Sequence, residues 1–374
     1  MKIVHLTSAH PRDDIRIFFK ECRSLAAAGH DLMLVVADGL GPEVRDGVRI
    51  LDVGAARARL DRMFRVTRRV YATALTLEAD VYHFHDPELL PVGGALRRAG
   101  KRVVFDAHED VPKQLLGKHY LGPVAKRVLS FVFALYERLA CRELDGIITA
   151  TPNIRDKFLH INRNTIDINN FPILGELEGS VGWDRKADEV CYVGGIAAIR
   201  GVREVVAAMA LTRPQIRLNL VGGFTEAEVE KEVRTAPGWQ QVHPLGERNR
   251  AGVRDVLARS KAGLVTFLPV PNHVDAQPNK MFEYMSAGVP VIASHFPLWC
   301  KIVEGNECGL CVDPLDPAAI AGAINRLVED PVLAQRMGEN GRRAVIERYN
   351  WAAEEKKLLA FYERLRRRIA CEKS

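Results

Sequence analysis

No stretch of the sequence stays apolar for the roughly 20 residues that a membrane-spanning helix needs, and low-complexity tracts and short repeats are absent. Cysteine is scarce and odd in number, seven in 374 residues. That argues against a disulfide framework and for a reducing, cytoplasmic compartment. The close pair Cys308-x2-Cys311 has no second pair nearby, so it reads as two small residues around a strand rather than a zinc site. The opening Met1-Lys2-Ile3-Val4-His5-Leu6 reads as a strand and not as a signal peptide. That strand is not followed by Gly-x-Gly-x-x-Gly but by Thr7-Ser8-Ala9-His10, which argues against a dinucleotide-dependent oxidoreductase. Neither sign of charge dominates: the formal balance is +6, compatible with anionic substrates or a membrane surface. The basic stripe from Arg57 to Arg69 holds a single aromatic, Phe64, rather than an interleaved series of stacking rings, so nucleic-acid binding is not expected.

What is present is an ordinary globular composition, 47% apolar and 27% charged, in a chain long enough for two domains. The first, residues 1–170, reads as repeated strand–helix units: strands at 3–6, 31–37, 80–85, 102–106 and 146–150, with a helix at 15–28. Strands alternating with helical patterns imply a parallel, doubly wound sheet. The strand exits are polar: Ser8 to Asp14, His85-Asp86-Pro87-Glu88, Asp106-Ala107-His108-Glu109-Asp110 and Thr149 to Asn153. Clustering of this kind marks a ligand edge. Arg12, Asp13, Arg16, Asp86 and Glu109 are candidates for acceptor or phosphate contacts. Arg16 reads equally as an exposed helix residue, and Asp86 and Thr151, each before a proline, as simple helix caps. Two segments carry apolar faces beside basic residues. Arg57 to Val70 has Leu60, Met63, Phe64 and Val70 on one face and six arginines against Asp61, a pattern suited to an anionic bilayer surface. Val124 to Leu139 is expected to pack into the core.

A linker is expected at 171–182 and a second strand–helix domain at 183–351, with the last helix spanning 352–374. The strand 189–193 turns at Gly194-Gly195, and Arg200-Gly201 precedes a helix. Paired glycines let backbone approach a phosphate, the following helix offers N–H donors, and Arg200 can pair with a diphosphate. Further strands end at Gly222-Gly223 and at Leu245-Gly246. The apolar run 263–268, the polar loop 271–278, a helix opening at Asn279-Lys280 and carrying Glu283, and the strand 289–293 form one unit. A carboxylate near that edge suits the vicinal hydroxyls of a ribose, and the helix start with Lys280 favours an anion. Glu283 reads alternatively as a solvated helix residue.

The block from Asp275 to Ile292 resembles the donor-site motif of the retaining glycosyltransferases of family 4, which have the GT-B fold of two facing Rossmann-like domains. Glu283 matches the second glutamate of a Glu-x7-Glu pattern, and Gly288-Val289-Pro290-Val291-Ile292 its following strand. Asp275 replaces the first glutamate. The 194–201 segment is similar to the family's Gly-Arg-x-x-x-x-Lys-Gly, with Gly195 where arginine is usual and Arg200 for lysine. His108 matches a histidine that faces the donor sugar. His5 to Asp13, His85 to Glu88 and Pro278 to Tyr284 resemble bacterial enzymes that build O-antigen, capsule or exopolysaccharide.

The resemblance implies transfer of a sugar from a nucleotide sugar, UDP-linked, to a hydroxyl of a lipid-linked glycan acceptor, with retained configuration. It implies a donor site of Gly194, Gly195, Arg200, Gly222, Gly223, Leu245, Gly246, Asn279, Lys280, Met281 and Glu283. His108, Arg200, Lys280 and Asp275 are then catalytic, and the last helix returns to the first domain. It implies no cofactor and no metal, in keeping with the lack of an Asp-x-Asp pair at a strand exit of the second half. It also implies an enzyme peripheral to the cytoplasmic face of the membrane. The rival readings are a sugar-nucleotide epimerase of similar architecture and a non-catalytic subunit of a glycan assembly complex.

Overall fold

The computed structural model describes residues 1–118, 121–179 and 181–373. Its contacts divide the chain into two compact units, Met1–Asn170 with the last helix from Ala353, and Phe171–Ala352. The expected linker is thus part of the second unit. Phe171 and Leu177 are buried in that unit's core, because two large apolar side chains gain more by burial than a free tether does by motion; Ser180 of that run lies outside the described residues.

Unit 1 is built on β1 (Lys2–Leu6), β2 (Asp31–Val36), β3 (Glu43–Arg45), β4 (Val48–Asp52), β5 (Val81–Phe84), β6 (Val103–Ala107), β7 (Gly146–Thr149) and β8 (Thr165–Asp167). They lie in the order β3-β4-β2-β1-β5-β6-β7-β8. The sheet is not wholly parallel as expected: β3 runs antiparallel to β4. Asp46 and Gly47, both at positive φ, make the tight hairpin turn for which Asp-Gly is a known signal. The other pairs are parallel, and the strands β1, β5, β6 and β7 are buried on both faces, which is why they read as continuous apolar runs.

Unit 2 holds β9 (Glu189–Val193), β10 (Arg217–Val221), β11 (Val242–Gly246), β12 (Ala262–Val265), β13 (Val291–Ser294) and β14 (Gly309–Val312). All are parallel, in the order β11-β10-β9-β12-β13-β14. Strand order reverses between β1 and β5 in one unit and between β9 and β12 in the other. Such switch points open a crevice at the carboxyl ends of the strands. The helix Trp351–Lys373 returns to unit 1, where Phe361 and Tyr362 are buried.

Two helical expectations change. Pro123–Arg142 forms one helix, but only Glu137 and Cys141 are buried. Val124, Val128, Leu129, Phe131, Val132, Leu135 and Leu139 are exposed, so the segment is not core. Its apolar residues go nearly all round, a pattern that periodicity alone assigns to burial. The basic segment becomes helical at Arg59 and continues to Thr76. Val66 and Val70 turn inward while Leu60, Met63 and Phe64 stay exposed, so the expected single face is split. Among the described residues no helix is long and apolar enough to cross a membrane.

Gly201 has φ of +76°, and a Cβ there would lie 2.0 Å from the carbonyl oxygen of Thr266. Gly201→Ala is expected to lower unfolding free energy by about 1–3 kcal/mol or more in urea titration; an unchanged midpoint contradicts the turn.

Candidate active site

The donor-site residues expected from sequence gather at the carboxyl edge of the second sheet, around the β9/β12 switch point. Gly194 follows β9 at φ of +109° and hydrogen-bonds through its N–H to Val221 O of β10. Gly222 in turn packs so closely that a Cβ would lie 2.1 Å from Gly194 O. The helix Asn279–Ser286 follows β12 and its loop, and brings Lys280 against the Gly194 turn, where a Cβ would lie 3.6 Å from Nζ. Asn279 is exposed and Met281 buried in the core. Gly222 donates its N–H to Gly246 O, the last residue of β11, and Leu245 is half-buried beside the core. Gly223 lies beside Glu247.

Lys280 dominates the electrostatics. Its ammonium is buried and donates no hydrogen bond to any described residue. It sits over the Tyr192 ring, 3.7 Å from the centroid, and 5.3 Å from that of Phe267. Burial, reinforced by the like charge of Arg200, pushes its pKa well below the usual lysine value, and Glu283 only partly opposes this. A buried cation without acceptors costs several kcal/mol, a cost that an adjacent anion would offset. Arg200 folds back to donate to Gly195 O at 3.0 Å. A Cβ on Gly195 would lie 2.7 Å from its Nη1. The glycine found where the family usually has arginine therefore makes the space that Arg200 occupies.

Glu283 is not a solvated helix residue. Its Oε1 accepts from Arg250 Nη1 at 2.7 Å, and Arg250 also forms a two-pronged pair with Glu176. Sequence reasoning missed Arg250 and Glu176: neither lies in a motif, and their convergence depends on the fold. The pair fixes Glu283 and leaves its Oε2 uncommitted among the described residues. Asp275 is half-buried in the loop before the helix.

In unit 1 the sequence candidates separate. Arg12 is bound to Asp38 by two prongs, to Glu43 and to Gly41 O. Arg16 is not an exposed helix residue. The segment Ile15–Cys22 is wound as a π-helix capped by Asp14, and this winding turns Arg16 inward to a bidentate pair with Asp106 at 2.7–2.8 Å and to Ile168 O. Both guanidiniums are thus spent on holding the unit together. Asp13 is exposed and pairs with Arg45; Glu109 is exposed and accepts from Gln114. Asp86 does not cap its own helix but accepts from Thr7 Oγ1 at 2.8 Å and from Ser8, tying the loop after β1. Thr151 does act as a cap, accepting from Ile154 N. His108 donates from Nε2 to Asp106 at 2.9 Å, and its Nδ1 has no partner among the described residues. Burial would raise Asp106, but Arg16, His108 and His85 outweigh it and hold the carboxyl well below its usual range.

Comparison with known proteins fits this geometry. The model for "Glycosyl transferases group 1" matches residues 176–344, and that for "Glycosyl transferase 4-like domain" matches residues 19–167. This chain belongs to the group 1, family 4-type glycosyltransferases. The enzyme is 22% identical to the glycogen synthase of Mycobacterium tuberculosis over 88% of its own length and 85% of the relative's. Its fold matches the sucrose-phosphate synthase of Thermosynechococcus elongatus with a TM-score of 0.79 at 21% identity, covering 97% and 98% of the two chains. It matches Anabaena HepE, solved in complex with UDP-glucose, with a TM-score of 0.76 at 18% identity, covering 97% and 99%. The fold of the enzyme is GT-B.

Binding a diphosphate gives Lys280 an acceptor and raises its pKa back toward that of an ordinary lysine. Between the lowered and the ordinary value, binding therefore takes up as much as one proton. Calorimetry of UDP in buffers of different ionisation enthalpy is expected to show this uptake. Lys280→Met abolishes it and weakens binding about tenfold to a hundredfold. Identical enthalpies in all buffers contradict the assignment.

Proposed function

We propose that the enzyme transfers a sugar from UDP-sugar to a hydroxyl of a lipid-linked glycan acceptor, with retained anomeric configuration, in cell-surface polysaccharide synthesis. The observation that carries the donor assignment is the buried ammonium of Lys280, without an acceptor among the described residues, against the Gly194 turn. The leaving diphosphate carries the developing charge, and fixed donors aimed at that charge lower the barrier most. Lys280, Arg200 and the backbone N–H groups after β9 supply them in this reading, and no metal or cofactor is assigned to the donor site. Glu283, braced by Arg250, accepts from the ribose hydroxyls. Gly246 and Leu245 contact the base through backbone atoms. Asp275 and His108 orient the transferred sugar, and the carboxylate behind His108 keeps its ring fixed. Departure and attack on one face of the sugar preserve configuration without a carboxylate nucleophile. The family's UDP-glucose-bound neighbour supports a uridine donor.

The lipid-linked acceptor is supported by unit 1. The helices Thr67–Thr76, Leu90–Arg98 and Pro123–Arg142 pack side by side. The helical turns Arg59–Val66 that lead into the first expose Leu60, Met63 and Phe64, and the first turns of the last expose Val124, Val128 and Phe131. Arg57, Arg59, Arg65, Arg68 and Arg127 are exposed among them, which suits an anionic bilayer surface.

Two experiments test this reading. Released UDP and the NMR coupling of the new anomeric proton are followed with UDP-sugars and lipid-linked acceptors. Turnover is expected only with acceptor, with retained configuration, and Glu283→Ala lowers kcat/KM by about tenfold or more; donor isomerised without acceptor contradicts it. In the second, the chain is expected to sediment with phosphatidylglycerol vesicles and not with neutral ones. Phe131→Asp reduces that binding while leaving stability within about 0.5 kcal/mol. Equal sedimentation with both vesicles removes the membrane surface from the account.

A further inference from the structure

The first sheet carries a cluster that the transfer reaction does not use. In the parallel register of β1 and β5, His5 lies opposite His83, and His85 projects from the same face two residues further on. The three rings stack with centroids 4.4, 4.6 and 5.1 Å apart. The π-helical segment lays Glu21 over them, and all four residues are fully buried. We propose that His5, His83, His85 and Glu21 hold a divalent transition-metal ion of the zinc class.

One ligand atom from each residue lies within 4.8 Å of the others. His5 Nδ1 and His85 Nε2 share a hydrogen bond at 2.9 Å, which the ion would replace, and His5 Nδ1 stands 4.0 Å from Glu21 Oε2. His83 Nδ1 meets Tyr362 Oη at 2.8 Å, which leaves Nε2 as its nitrogen for the ion. Small rotations bring such atoms to the bond lengths of about 2.0–2.2 Å that zinc requires. As a carboxylate Glu21 accepts no hydrogen bond at either oxygen, and His83 Nε2 has no partner, among the described residues. Arg16 Nε approaches Glu21 Oε1 at 3.2 Å, but its hydrogen bonds go to Asp106 and Ile168 O. Groups of this polarity are rarely left unsatisfied in a core, and each needs an explanation. The surrounding contacts are those of a metal site, in which ligating histidines are steered through their other nitrogen. His85 Nδ1 donates to Asp106 at 3.1 Å, and His5 Nε2 faces Tyr362 Oη at 3.4 Å.

Burial lowers the pKa of all three histidines, which keeps them in the neutral, ligating form. Burial, the nearby Asp106 charge and a hydrogen bond to Asp106 raise that of Glu21, against the attraction of Arg16. Three nitrogens and one oxygen, closed to water, describe a structural site rather than a catalytic one. The ion pins β1, β5 and the π-helix together behind His108, with Tyr362 of the last helix hydrogen-bonded to His83, and all four ligands belong to unit 1.

The full chain, purified without chelator, is analysed for metal, then stripped and loaded with cobalt(II). We expect one equivalent of metal per chain and a tetrahedral cobalt spectrum without a sulfur-to-metal charge-transfer band. The near-isosteric Glu21→Gln and the truncation His83→Ala lose that equivalent while circular dichroism remains native. Asp106→Asn weakens affinity by about tenfold or more. Cys300→Ser, in a separate cluster with Glu304 and Cys311 that shares no residue with this one, retains the metal. A folded wild-type chain that neither contains metal nor takes up cobalt overturns the proposal. So does metal that persists in both Glu21→Gln and His83→Ala, or that is lost in Cys300→Ser.

Discussion

A lysine ammonium sealed against two aromatic rings, with no oxygen among the described residues to accept its hydrogens, sets the terms for the second unit. Such a charge is tolerated only if folding elsewhere supplies the stability, or if a ligand completes it. The glycines around it have no such freedom to vary. Gly194 leaves room for the ammonium, Gly222 packs against Gly194, and Gly195 admits Arg200. Because β9 and β12 are where strand order reverses, the 194–200 segment, Gly222 and Lys280 converge although they lie far apart in sequence. The same rule of parallel sheets puts Glu283 one helical turn further on, where Arg250 and Glu176 brace it.

Unit 1 answers a different problem. Its strand exits are rich in charge, yet most of that charge is internal. Arg12 and Arg16 are bound to carboxylates, Asp86 ties a loop, and Asp106 anchors both Arg16 and His108. What faces outward is apolar instead, on helices whose leading turns mix large hydrophobic side chains with arginine. In the proposed reading one unit offers an anion site and the other an apolar, basic surface, the division of labour that a nucleotide donor and a lipid-carried acceptor call for.

The alternation of strands and helices made the α/β class and two-unit organisation legible, because burial on both faces of a parallel strand leaves an apolar run that composition reveals directly. The block from Asp275 to Ile292 was legible because a helix start, a lysine and a glutamate recur at fixed spacing there. What the sequence concealed depended on distance along the chain or on winding. Arg250 and Glu176 reach Glu283 from elsewhere in unit 2. The π-helix that buries Arg16 looks like any amphipathic stretch. Pro123–Arg142 shows that apolar density does not by itself mean burial, since a helix apolar nearly all round fits a core or an interface equally. The hairpin β3–β4 was announced by Asp46-Gly47 and went unread between longer signals.

The account turns on whether the Gly194 turn and Lys280 receive a diphosphate. A crystal structure with UDP bound tests this most directly. The account predicts the β-phosphate within hydrogen-bond distance of Lys280 Nζ and the Arg200 guanidinium, with the ribose hydroxyls on Glu283. A diphosphate seated elsewhere, with Lys280 still without an acceptor, would contradict it.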